Sequence, residues 1–440
     1  MSNIASPRRT DFAGVAEAEA LKARIAAVIA SLILAVLLIS FRPFTPMSPT
    51  FESGGTGGDA VNQLGFGSLG ALSLFAIFAF VDRRVASALL SPWWLLLLAF
   101  LALSVLDATD PPSAMRAAMF TVIAIFGICA VLTLPRDADS FSTVIAWGGF
   151  AVVGLSYVGL VVFPNEAKHL ADSIEPQHAG FWRGVFTHKN VAGPVMACLG
   201  FGGIYLWRRG WRWSGGGLFL LAMIFMSHTG SKTTLGLVPL AVLPVILPGL
   251  IGMRFLTPLF FILSMIIMGL ATLGIVFIDP LKQLAAQLAP DLTYTGRVSL
   301  WEFSGEMIMK KPWTGYGFES FWDTPTVYNV DQPFDRAWDI RGIVHGHNSY
   351  LDLAVYMGLP ALAFAVVTFL LVPMKDFLRI PRLRENVLLA DFFMMILCFT
   401  ALNAWLESFF FHRADPVWLM FVMAIIGLRL VARFPVKSQR

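Results

Sequence analysis

The chain has 440 residues, of which 57% are hydrophobic and only 14% charged, with a mean hydropathy of +0.71. Soluble domains carry about 25% charged residues, so a chain this apolar could not cover its surface in water, and a bilayer is its natural solvent. The formal net charge of +4 is spread without a long basic run or stripe, which excludes a nucleic-acid binder. Cys129, Cys198 and Cys398 lie in apolar runs with no CxxC spacing, which argues against a disulfide framework or a thiolate metal site.

Residues 1–24 contain acids and lack a short apolar core with a cleavage site, so no signal peptide is expected. Within them, 14–24 (Glu17, Glu19, Lys22, Arg24) reads as a short amphipathic cytoplasmic helix leading into the first span. About 20 apolar helical residues cross a hydrocarbon core of roughly 30 Å. Windows of that length predict twelve spans: 25–41, 64–81, 86–106, 114–134, 142–163, 190–207, 215–229, 233–250, 254–278, 350–373, 389–409 and 416–434. The seventh and eighth are short and close together, so a single re-entrant unit is the alternative there. The expected organisation is a cytoplasmic segment 1–24, nine spans over 25–278, a large extracytoplasmic loop 279–349, three spans over 350–434 and a tail 435–440. With the N-terminus inside, the basic clusters at 8–24, 83–84, 136, 208–212, 254, 375–384 and 429–440 all fall on the cytoplasmic side, as the positive-inside rule requires.

Two outer segments, 164–189 and 279–349, are too long to be connectors, and loops of that length usually carry function. The second contains Thr295-Gly296-Arg297, an amphipathic stretch 298–309, and His345-Gly346-His347-Asn348-Ser349 at the start of the tenth span. Asn348 or Ser349 can cap that helix. His347 then sits at the positive end of a helix dipole, which favours anions and a neutral, hence basic, imidazole; the plain alternative is an interfacial histidine. Arg297 has the planar fork suited to a diphosphate, and an anionic partner would explain a cation at a helix N-terminus. Before the sixth span, 181–190 packs Arg183, His188, Lys189 and Asn190 among aromatics; a belt with snorkelling cations accounts for Trp182 and Arg183 but less well for His188 and Lys189. Lys232 follows Thr229-Gly230-Ser231 where charge at membrane depth is expensive and marks a functional site or ordinary snorkelling. Glu407 can pair with a cation of the site or simply lie in the headgroup layer, with His412 and Arg413 after it.

With these residues in view, the chain resembles the O-antigen ligase and polysaccharide polymerase superfamily of bacterial envelopes. The resemblance rests on His347-Asn348, nine residues, then Gly358; on the loop arginine Arg297 with Leu300-Trp301 after it; on Thr187-His188-Lys189-Asn190, similar to the exopolysaccharide-polymerase branch; and on Thr229-Gly230-Ser231-Lys232, where lysine replaces the family's arginine. Leu359-Pro360-Ala361 departs mildly from the usual continuation after the glycine. The resemblance implies an all-α polytopic membrane protein of the C-type glycosyltransferase kind. It implies an inner-membrane enzyme with both termini cytoplasmic and a periplasmic site. The donor would be an undecaprenyl-diphosphate-linked oligosaccharide and the acceptor a glycan or lipid A-core, with other polysaccharide assembly and export proteins as further partners. The reaction would invert the anomeric centre without metal or other cofactor.

In that frame the expected catalytic residues are His347 as base, with Arg297 and Lys232 on the diphosphate. Arg183, His188, Lys189, Asn190, His345, Asn348 and Glu407 are expected substrate-binding residues, and His345 stays open as an alternative base. Trp301, Trp313, Trp322 and Trp338 are candidates for stacking on sugars or for packing. A polymerase is the first functional expectation. The alternatives are a ligase acting on lipid A-core and, from a different class, a transporter, which would place its polar residues near mid-bilayer.

Overall fold

A computed structural model describes residues 9–45, 59–171, 176–288, 294–330 and 339–438. The principal helices are α1 Arg9–Ile39, α2 Ala60–Phe80, α3 Arg83–Leu89, α4 Pro92–Leu106, α5 Pro111–Thr133, α6 Ala138–Val162, α7 Lys189–Arg208, α8 Arg212–His228 and α9 Lys232–Leu250. They continue with α10 Leu256–Phe277, α11 Asp279–Leu288, α12 Arg297–Lys310, α13 Ser349–Leu378, α14 Arg384–Asn403 and α15 Pro416–Arg433. The described residues contain no strand, only one isolated bridge between Lys168 and Trp182.

Backbone polar groups in lipid must be satisfied within the segment, which is why the apolar runs become helices. Among the described residues ten helices are long and apolar enough to cross a membrane, eleven if the bent pair α3–α4 counts as one span. The remaining expected span is α8, whose 17 residues reach about 26 Å at 1.5 Å per residue, at the short limit for a bilayer. It nonetheless runs the length of α7. Near one end Gly203 lies so close that an added Cβ would meet Phe219 N at 2.6 Å, and near the other His228 stacks on Trp182 at 4.1 Å. The seventh and eighth spans are thus two separate helices and not one re-entrant unit. The helix expected at 14–24 does lead into the first span and is continuous with it as α1, because nothing between Glu17 and Arg24 breaks a helix.

The helices shuttle between two ends. At one, the basic end, Arg209 is buried and pairs with Glu385 (2.7 Å) and Asp139 (3.2 Å), while Arg208 and Arg254 share Asp391 (2.8 and 2.6 Å). At the other, the described residues of the segments 163–188, 278–348 and 404–415 gather. Helix α14 lies at the centre, with nearly every residue buried, and packs against α15, α7 and α9.

The large loop has its own small core of Leu300, Trp301, Phe303, Phe321 and Trp322, built on α12. It is fastened to α13 at a break. Gly358 takes φ +81°, a conformation that L side chains rarely adopt, and a side chain there would strike the backbone of Trp313. Carbonyls freed by the break accept from the loop: Tyr316 N–H donates to Val355 (2.8 Å) and Gly317 N–H to Tyr356 (3.0 Å), while Leu359 N–H reaches Pro312 (2.7 Å). The glycine ten residues after Asn348 is therefore the residue that lets the loop dock.

Candidate active site

Three helix N-termini converge on one carboxylate. Arg297 opens α12 after Gly296, which has φ +85°, and its Nη2 donates to Glu407 Oε1 at 2.7 Å. Asn190, in the first turn of α7, donates from Nδ2 to the same oxygen at 3.2 Å. His347, just before α13, contacts Oε2 through Nδ1 at 3.3 Å. Glu407 itself lies in the turn after α14, and its backbone carbonyl accepts from Ser349 N–H and Oγ–H.

The electrostatics fix the proton positions. Burial opposes a charge on Glu407, but the Arg297 guanidinium and the hydrogen bond from His347 outweigh it and hold the carboxyl well below its ordinary range. An ionised carboxylate only accepts hydrogen bonds, so Nδ1 of His347 is the donor. The lone pair of the neutral ring is then at Nε2. This is the logic by which an acid orients a general-base histidine. A guanidinium has five N–H donors, so the bond to Glu407 leaves most of the Arg297 fork for a second oxyanion. The dipoles of α7, α12 and α13 add positive potential at the same place.

Local sequence explains why His347 stays put. Its backbone is left-handed (φ +51°), which is costly for a residue with a Cβ. Gly346 pays for this by gripping on both sides: its N–H donates to both oxygens of Asp352 (3.1 Å each) and its carbonyl accepts from Trp301 Nε1 (3.1 Å). A Cβ at 346 would meet Asp352 Oδ1 at 2.5 Å. Asn348 is fully buried; its Oδ1 caps α13 by accepting from Tyr350 and Leu351 N–H, and its Nδ2 donates to Trp405 O (3.0 Å). Asn348 is thus the cap, and its polar atoms are committed to structure.

Other expected site residues are placed differently. Arg183 is buried, and its guanidinium donates to the carbonyls of Thr187 (3.0 Å) and Thr45 (2.9 Å), so it pins the 163–188 segment. His188 is the N-cap of α7, its Nδ1 accepting from Asn190 N–H (3.1 Å). Lys189 is buried with Nζ 4.9 Å from the centre of the Phe181 ring. Lys232 is exposed at the start of α9; its turn packs on α7 at Gly193, and it makes no ion pair among the described residues. His345 packs edge-on against His347, ring centres 4.2 Å apart; burial first, and then the neighbouring His347, push it well below the ordinary histidine range. Trp301 and Trp322 are buried in the loop core, Trp313 is exposed, and Trp338 lies outside the described residues.

Sequence spacing did not reveal one grouping. His169, His178 and His188 bring ligand-capable atoms within 4.8 Å of one another. Two of these rings already serve the start of α7: His169 Nε2 accepts from Lys189 N–H (3.2 Å), as His188 Nδ1 does from Asn190. A metal could bind there only by taking those lone pairs.

Residues 216–366 match a family described as O-antigen ligase, and that stretch holds Lys232, Arg297, His345, His347 and Gly358. The chain is also 27% identical over 227 residues to the exopolysaccharide production protein ExoQ of Rhizobium meliloti (strain 1021), covering 47% of this chain. The match spans about half the length of that relative. The matched segment and the relative are both similarities to proteins of the O-antigen ligase and polysaccharide polymerase kind, and the apolar helices are those of a multi-pass membrane protein.

Proposed function

We propose that the protein is a polymerase of a bacterial surface polysaccharide. It transfers a glycan from undecaprenyl diphosphate to a sugar hydroxyl at the periplasmic face of the inner membrane. The observation that carries this reading is the Arg297–Glu407–His347 arrangement. An imidazole and a guanidinium on two sides of one carboxylate support a reading of His347 as an oriented base and of Arg297 as a cation for the diphosphate.

His347 Nε2 takes the proton of the acceptor hydroxyl as that oxygen attacks the anomeric carbon. A positioned base typically contributes about 10²–10⁴-fold. Attack from the face opposite the leaving group inverts the centre. The bond from the anomeric carbon to the phosphate oxygen breaks, and the diphosphate gains charge as it leaves. Arg297 and the three helix N-termini are aimed where that charge develops, which is where fixed dipoles act most strongly. These groups supply the stabilisation from the chain itself, so the proposed reaction uses no metal. Lys232, at the same end of the bundle, serves as the entry cation for the lipid diphosphate. Arg183, His188 and Lys189 act by fixing Asn190.

A ligase that hands a finished glycan to lipid A-core would use the same site. The participation of Asn190, from the Thr187-His188-Lys189-Asn190 stretch, favours the polymerase. Transport is disfavoured because the converging polar groups lie at one end of the bundle and not at its middle.

The test is the size of glycans in a deletion strain complemented with wild type, Arg297→Ala or His347→Ala. Single lipid-linked repeats without polymer in the deletion and both variants support the polymerase. Polymer that stays on its lipid and never reaches lipid A-core makes the protein a ligase. Normal glycans from both variants at normal protein level overturn the site.

A further inference from the structure

Behind the His345–His347 pair lies a partly open cavity of about 90 Å³, walled by Glu319, Trp322, His345, Tyr356, Ser408 and His412 among others. Two of its polar atoms are buried without a hydrogen-bond partner: Nδ1 of His345 and Oε1 of Glu319. Buried polar atoms are mostly satisfied in native proteins, so two orphans in residues that line one cavity mark it as a candidate ligand site. The other oxygen of Glu319 is fixed by Arg413 Nη2 at 3.0 Å, which holds Oε1 in place. Trp322 is fixed likewise, its Nε1–H donating to Asp352 at 2.8 Å.

The backbone around the cavity is strained. Glu319, His347, Phe411 and Arg413 all have left-handed φ, at +51°, +51°, +58° and +43°. Each such non-glycine residue is unfavourable, and clusters of them accompany sites where side-chain aim matters more than local comfort. The loop that carries Glu319 is strutted to the membrane helices by Phe318 N–H on Ser104 O (3.1 Å) and by Thr109 N–H on Ser320 Oγ (3.0 Å). The cavity is thus a built feature and not slack packing.

We infer that this cavity is the acceptor subsite, taking the hydroxyl-bearing edge of the terminal sugar of the acceptor, with Glu319 and His345 as its specificity-determining contacts. The volume has room for a few waters and so for one edge of a pyranose, not a whole ring. A sugar hydroxyl both donates and accepts. It can donate its one hydrogen to Glu319 Oε1 and accept from His345 in the tautomer that carries the proton on Nδ1. The aromatic wall of Trp322 faces the apolar C–H side of the sugar. A neighbouring hydroxyl of the same ring then points past His345 towards His347. The inference rests on the transferase reading and adds where the second substrate sits.

The test uses the tag-free protein in lipid nanodiscs and a lipid-free oligosaccharide repeat released from the host's own surface polysaccharide. Saturation-transfer NMR reads binding without any turnover. The expected result is transfer to the sugar from wild type and from Arg297→Ala alike. Glu319→Gln turns a donor-seeking oxygen into an amide N–H₂, because the amide oxygen stays with Arg413, and His345→Asn removes the ring. Each is expected to raise Kd roughly tenfold, since an unpaired hydroxyl is left behind. In turnover both raise the acceptor KM and leave the donor KM unchanged, which a merely structural lesion would not do. No saturation transfer to wild type, or equal binding by both variants, overturns the subsite. If the sugar binds as expected but the glycans of Arg297→Ala and His347→Ala cells are normal, the subsite stands and the transferase reading fails.

Discussion

Replacing Glu407 by Gln tests the arrangement at its hinge. The substitution keeps shape and one acceptor oxygen, so the 2.7 Å bond from Arg297 and the 3.2 Å bond from Asn190 survive at Oε1. At the position of Oε2 an N–H₂ group now faces Nδ1 of His347, 3.3 Å away. Two donors cannot bond, so the imidazole takes the other tautomer: Nδ1 accepts and Nε2 carries the proton. The base is then blocked at the atom that should receive the acceptor proton. A general base is worth about 10²–10⁴-fold, and the expected loss of transfer is roughly 10³-fold. Stability changes less. A hydrogen bond to a charged group contributes about 1.5–3 kcal/mol against about 1 for a neutral one, so the variant should lose roughly 1–2 kcal/mol at neutral pH. The sign with pH follows from the depressed pKa of Glu407. Its ionic contribution is fully present above the ordinary glutamate value of about 4.3 and fades only as pH falls below it. The Glu407 share of the stability gap between wild type and Glu407→Gln should therefore persist down to about pH 4.3 and be lost in stronger acid. Glycan ladders from complemented cells read transfer, and detergent-solubilised melting curves read stability. Wild-type ladders from Glu407→Gln at wild-type protein level would refute the oriented-base argument.

Three further outcomes are expected. Arg297→Lys keeps the charge but loses the fork, so it cannot hold Glu407 and a phosphate oxygen together; transfer should fall roughly tenfold or more, read from polymer yield per protein. Gly358→Ala forces a Cβ into the backbone of Trp313 at φ +81°, so the protein level in membranes should drop sharply, with loop proteolysis as the readout. At the opposite end, Arg209→Ala leaves Glu385 and Asp139 without their buried cation. It should destabilise by about 3–5 kcal/mol in thermal melts, while the acceptor and donor KM of the surviving folded protein stay unchanged.

The membrane architecture was legible because the energetic demand is one-dimensional: about 20 apolar residues per crossing. Ten or eleven of the twelve expected spans are helices long and apolar enough to cross, and α8, at 17 residues, falls just short of that length. The cap at Asn348, the helix after Arg297 and the pairing of Glu407 with a cation were also readable, since each depends on local chemistry or on a charge that needs a partner. What was hidden depends on long-range backbone. Arg183 looks like a phosphate ligand in sequence, but its partners are the carbonyls of Thr45 and Thr187, which no residue type announces. Trp301 and Trp322 read equally well as sugar platforms. Only the closing of the loop core shows Trp301 spent on Gly346. Glu319 carried no local signal, and its importance comes from a cavity formed with residues about 25 and 90 positions further along the chain.

The break at Gly358 has a consequence for how this protein can be taken apart. The loop's hydrogen bonds at Tyr316, Gly317 and Leu359 end on a membrane helix made after the loop in synthesis. The loop therefore completes its fold only once that helix is in the bilayer. An excised 279–348 fragment should be a poor stand-in for the domain it resembles. Exchanging loops between homologous proteins should succeed only when the broken helix travels with the loop.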